Sequence, residues 1–235
     1  FIDWLYLKTD DHWKTGRETA RSMTHFINEV YGHTGFHFNS RLHFFDVTPS
    51  LAKKLGAVSV EQLKNLRVHK YDCADREDKD NTEGTMCVEA HKLMVALRGD
   101  GWQDLGAFQL LPVTFTREVL NGFGKFPWSS DHGMLTIAHQ ALTKGATTLP
   151  HEMGHCLGLL HTFSGYASDR CHACTETNPN GDDLTGDLIS DTPPMPQWQP
   201  MHEMNTCHSD PDPEYYPSTC VGTWKNTPNT NIMSY

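Results

Sequence analysis

Apolar and polar positions recur along this chain with two periods, and the periods divide it into elements. Phe1–Leu7 (FIDWLYL) is apolar almost throughout and reads as a mostly buried strand. Thr15 and Glu18 stand at the spacing of a capping box. Behind them Ala20, Met23, Ile27 and Val30 recur at helical spacing, predicting a helix that ends near Gly32. Phe36, Phe38, Leu42 and Phe44 alternate with His37, Asn39, Arg41 and His43, the period of a half-buried strand. Ser59 and Gln62 predict a second capped helix through about Leu66. Lys92–Leu97 and Ala107–Phe115 are strand candidates separated by the turn residues Gly99, Asp100 and Gly101. Gly133–Ile137 (GMLTI) predicts a short strand. A helix follows over about Thr148–Leu157, with Pro150 accommodated in its first turn. From Ser164 onward the sequence is irregular and rich in Gly, Pro, Asn and Asp, and no internal repeat is present. The pattern predicts an α/β (α+β) lobe over about two thirds of the chain, followed by a loop-rich lobe.

Composition narrows the class. The chain has 235 residues, of which 37% are hydrophobic and 20% charged, enough apolar sequence for a core and too much for a disordered tail. No apolar run approaches the roughly 18 residues that a membrane-spanning helix requires. A formal net charge of -10 argues against a nucleic-acid binder, because no basic stripe meets the phosphates. Of seven cysteines, Cys73, Cys87, Cys171, Cys174, Cys207 and Cys220 lie in loop-like sequence, the usage of an oxidising compartment, and so predict a secreted or extracellular protein. Cys156 lies within the apolar helical pattern and is expected to be a buried free thiol. A zinc knuckle or redox pair is the rival reading of Cys171-His-Ala-Cys174, although the later cysteines form no second pair of that spacing. The sequence opens at Phe1 without a Met or a signal peptide, the form expected of a processed protein or an excised domain.

The chemistry concentrates in His151-Glu152-Met153-Gly154-His155-Cys156-Leu157-Gly158-Leu159-Leu160-His161. At about 100° per residue, His151 and His155 share one helix face, where both imidazoles reach one metal ion. Glu152 is adjacent but rotated away, placed to act on a water without being a ligand. On a continuous helix His161 would lie roughly 9 Å beyond His155, too far to share the ion. Gly158 removes that obstacle, because glycine accepts the left-handed conformation that ends a helix. Three neutral imidazoles with an open fourth position make a zinc site suited to catalysis. Asn231-Ile232-Met233-Ser234-Tyr235 adds a Met-containing turn, with Met233 as an apolar floor beneath the metal.

HEMGHCLGLLHTF with a later NIMSY resembles the metzincin zinc endopeptidases. Phe163 after His161-Thr162, and the downstream Gly186-Asp187-Leu188-Ile189-Ser190-Asp191-Thr192-Pro193, resemble the pappalysin (pregnancy-associated plasma protein-A-like) group. The resemblance implies a single peptidase domain. Its upper lobe, about 1–161, would hold a twisted mixed sheet, packing helices and the active-site helix; its lower lobe, about 162–235, would be irregular and disulfide-bonded. Cys156 departs from the bulky aromatic that relatives often carry there, and the family's C-terminal helix is expected beyond Tyr235.

By the same resemblance, Glu152 is the proton shuttle and Tyr235 the hydroxyl that steadies the oxyanion. Gly133, Met134, Leu135 and Thr136 form a cleft-edge strand for an extended peptide. The resemblance also suggests crossed disulfides Cys171–Cys207 and Cys174–Cys220, with Cys73 pairing Cys87. The acidic residues Asp182, Asp183, Asp187 and Asp191 are either a structural calcium site or a solvated loop. Two readings compete with the peptidase. One is a catalytically weak, peptidase-like binding module, against which an intact Glu152 argues. The other is a site whose third ligand is a later carboxylate, which His161 makes unnecessary.

Overall fold

A computed structural model describes residues 1–9, 11–70, 73, 86–116, 120–143, 145–161, 206–207, 222–223 and 232–233. The chain divides into two units, Phe1–Leu157 and Gly158–Tyr235.

In the first unit the strands β1 (Ile2–Leu7), β2 (Ser40–Phe45), β5 (Phe108–Val113), β6 (Gly122–Gly124) and β7 (Met134–Ala138) form one mixed sheet in the order β2-β1-β5-β7-β6. The first four run parallel to their neighbours, and β6 closes the edge antiparallel to β7. β3 (Leu66–His69) and β4 (Met86–Glu89) make a separate parallel pair. The helices are α1 (Gly16–Tyr31), α2 (Pro49–Leu55), α3 (Val60–Lys64), α4 (Ala90–Arg98) and α5 (Thr148–Cys156). In the second unit β8 (Thr206–Cys207) pairs antiparallel with β9 (Gly222–Thr223), and Met233 is buried.

Most of the apolar stripe read on α1 is the face it buries: Ala20, Met23 and Ile27 are inside, while Val30 is half-buried and Tyr31 completes the row instead. Its start differs from expectation. The Thr15 hydroxyl donates to the His12 carbonyl within a preceding 3-10 turn and makes no cap bond to the helix. Ser59 does cap α3, accepting from the Gln62 N–H at 3.4 Å, while Gln62 Oε1 accepts from the Val58 N–H at 2.9 Å. That helix stops at Lys64, short of Leu66, which begins β3.

Two strand readings need correction. Lys92–Leu97 is helix: Ala90, Leu93 and Met94 are the buried positions of α4, spaced three and four apart on one face. Its end is set by Gly99, whose φ of +81° only glycine adopts without strain. The alternation over 36–44 supports a strand only from Ser40, and β2 lies at the sheet edge, where Phe36 and Phe44 stay exposed.

The core lies where the sheet meets α1 and α5. β7 is buried at all five positions, as a strand covered on both faces must be. Asp3 is a fully buried carboxylate in β1. It accepts from Arg41 of β2, from Arg98 of α4 at 2.9 Å and from Gln109 of β5 at 3.0 Å, so one acid ties three elements to β1.

Candidate metal centre

α5 carries the site and is fixed at both ends. Pro150 sits in its first turn, where the missing N–H is no loss. The Tyr31 hydroxyl of α1 donates to the Pro150 carbonyl at 2.7 Å. Leu149–Cys156 are all buried, with Leu149 and Met153 having no exposed surface. The helix stops after Cys156, and Gly158 takes a φ of +95°, the left-handed region open to glycine.

His151, His155 and His161 bring one ring nitrogen each to within 4.8 Å of one another, the single group of possible metal ligands among the described residues. The rings of His151 and His155 stand edge to face at 4.8 Å, as residues one turn apart on a helix allow. A tetrahedral zinc with Zn–N of about 2.0–2.1 Å places its donors roughly 3.4 Å apart, so small ring rotations complete such a set. Three clustered imidazoles, two of them more than nine-tenths buried, fit zinc by donor type as well as by spacing.

Glu152 lies between His151 and His155 in sequence and is held by β6. Its Oε2 accepts from the Gly124 N–H of β6 at 2.6 Å. Burial pushes its carboxyl up to about 7, against the opposing pull of the Gly124 N–H and the Lys70 cation. The approach of α5 to β6 depends on glycine. A Cβ at Gly124 would fall on the Glu152 carbonyl oxygen, and one at Gly122 would meet Ile137 Cδ1 at 2.8 Å and Glu152 Cγ at 3.1 Å. Cys156 is a buried free thiol packed behind Glu152. Its Sγ donates to the Met134 carbonyl at 3.5 Å, and burial pushes its pKa up to about 12, which keeps it unreactive at neutral pH.

The expected cleft-edge strand is not at an edge. β7 pairs with β5 on one side and with β6 on the other, so Gly133, Met134, Leu135 and Thr136 offer no open side to a peptide. Among the described residues the outer edge on this side of the sheet belongs to β6. Asn121 and Lys125 bond to β7 through Ala138 and Met134, and the alternation of an antiparallel ladder turns the main chain of Gly122 and Gly124 away from β7. Sequence reasoning missed this strand because three residues show no period. The available signal was Gly122-Phe123-Gly124 itself, two glycines flanking an apolar residue, which marks a close backbone approach.

Cys73 and Cys87 form a disulfide, S–S 2.09 Å. Tyr235, the acidic residues Asp182, Asp183, Asp187 and Asp191, and Cys171, Cys174 and Cys220 lie outside the described residues, as does the side chain of Cys207. Among the described residues no helix is long and apolar enough to cross a membrane.

Residues 130–235 match the family model described as pregnancy-associated plasma protein-A, of the M43 peptidases. Over 157 residues, 63% of the chain, the sequence is 31% identical to pappalysin-1 of Homo sapiens and 32% identical to pappalysin-1 of Mus musculus. That stretch covers 9% of each relative, so the chain spans under a tenth of the length of the curated relatives it matches.

Proposed function

We propose, from the premise that the chain is a pappalysin-like metzincin, that it is a zinc-dependent endopeptidase acting on extracellular proteins or peptides. The observation that carries the reading is the convergence of His151, His155 and His161, two of them on the same helix as a buried Glu152 whose Oε2 accepts from the Gly124 N–H.

The three histidines would hold the ion through one ring nitrogen each. When bound by these residues, zinc would supply Lewis acidity toward the scissile carbonyl and the attacking water. Glu152 takes that water's proton and returns it to the leaving amine. Burial, which raises its pKa, makes Glu152 a stronger base than an exposed carboxylate, the direction that proton transfer from water requires. The Gly124 N–H aims the carboxylate by holding one oxygen and leaving the other for the water. Tyr235 is assigned the oxyanion contact and Met233 the apolar floor, both by family resemblance. The substrate lies extended along the outer edge of β6, where Gly122 and the Gly124 carbonyl present main-chain groups. The Cys73–Cys87 bridge fits secretion, since such bridges persist where the surroundings are oxidising. A peptidase-like binding module would have no use for a base held in this way.

The test is turnover of a quenched peptide at neutral pH before and after a zinc chelator. Activity that the chelator abolishes and added zinc restores is the expected result, and chelator-resistant cleavage would contradict the proposal.

A further inference from the structure

Directly after β6 the chain places a large aromatic ring in solvent. Trp128 is 67% exposed, although tryptophan is ordinarily among the better covered residues. Its ring is not loose. It stacks on Phe126 with centroids 4.6 Å apart and planes 9° from parallel, and Phe126 in turn leans on the ligand His155 at 5.0 Å. The segment beneath it is braced. Ser129 donates to the Phe126 carbonyl at 3.0 Å, and Gln103 reaches across to the Ser130 carbonyl at 3.0 Å. Lys125 pairs with the buried Asp131 at 2.9 Å. One face of the indole is covered by Phe126, so its exposure falls on the remainder of the ring. Held at two ring-to-ring steps from His155, the indole centroid lies within about 10 Å of that imidazole, three residues of extended peptide.

We propose that Trp128, seated on Phe126, is a specificity-determining subsite that takes an aromatic or large aliphatic side chain of the substrate. The side chain comes from two to three residues on the amino-terminal side of the bond that is cut. The proposal rests on the peptidase reading above and adds the class of peptide selected. Direction follows from β6, which runs from Gly122 past the Glu152 contact at Gly124 and on through Lys125 to Phe126. A peptide lying antiparallel along its outer edge passes the Glu152 contact at the cut bond and reaches Trp128 with its preceding residues. A rigid, uncharged ring favours a flat or bulky apolar partner, because stacking adds to burial without ordering a flexible side chain.

The experiment profiles cleavage of a peptide library by the zinc-loaded wild-type chain, Trp128→Ala and Trp128→Phe. Wild type is expected to prefer Phe, Tyr, Trp or Leu over Ala at one fixed position on the amino-terminal side. Trp128→Ala should lose about two- to tenfold in kcat/KM on those peptides, mostly through KM, while cleaving the alanine peptides as wild type does. Trp128→Phe should recover most of the preference. An unchanged profile, or a loss on the carboxyl side of the cut, overturns the assignment. If wild type cleaves nothing, the peptidase reading has failed, and the shelf is then judged by binding. The same peptides are titrated against wild type and Trp128→Phe by tryptophan fluorescence. Tighter binding of aromatic than of alanine peptides, with a signal that depends on Trp128, supports it, and equal binding overturns it.

Discussion

At the scale of single residues, a glycine sets how closely α5 approaches β6, and a buried acid ties β1 to its neighbours. Gly124 is the tightest point of the molecule around the site, because α5 runs so near β6 that a methyl group there would strike the Glu152 carbonyl. Gly124→Ala is therefore expected to displace Glu152 and lower kcat at least tenfold while zinc per chain stays near that of wild type. Turnover at the wild-type rate would show that the contact does not set the base. Asp3 acts on stability. Burial alone would raise its pKa, but bonds from Arg41 and Gln109, with the charges of Arg41 and His43, lower it below the usual 3.8. A carboxyl lowered on folding stabilises the fold above its unfolded pKa. That contribution fades as pH drops through 3.8 toward the folded value. Denaturation midpoints should fall more steeply below about pH 4 in wild type than in Asp3→Ala, a variant less stable by about 3–5 kcal/mol at neutral pH because Arg98 is left without its carboxylate. Parallel acid profiles for the two proteins would refute the assignment.

At the scale of elements, α5 is positioned by its neighbours more than by its own propensity. Tyr31→Phe removes the bond to Pro150 without changing volume and should lower stability by about 1 kcal/mol, read as a shift in the urea midpoint at constant slope. The Cys73–Cys87 bridge closes a sequence separation of 14 onto the start of β4. Replacing both cysteines by serine should lower stability by about 3 kcal/mol on the chain-entropy account, with thermal melting as the check. The α5 helix was legible in the sequence because its histidine spacing and Gly158 encode geometry directly. α4 was not, since Leu93-Met94-Val95-Ala96-Leu97 is a continuous apolar run too short to separate helix from strand by period. Strand order was not legible either. Gly133–Ile137 was rightly read as a strand, yet nothing in five apolar residues tells whether β6 will pair beside it.

Across the whole molecule, the sheet and α1 of the first unit pack buried apolar side chains around α5, the helix that carries His151 and His155. The central claim is that holding the ion and moving the proton are assigned to different residues. The most direct test is zinc per chain, by elemental analysis, measured together with peptide turnover in Glu152→Ala and His155→Ala. Glu152→Ala should keep close to one zinc per chain and lose at least about a hundredfold in turnover. His155→Ala should lose zinc and turnover together, because two imidazoles hold the ion poorly. Substantial turnover without Glu152, or zinc retained at wild-type affinity without His155, would contradict the account.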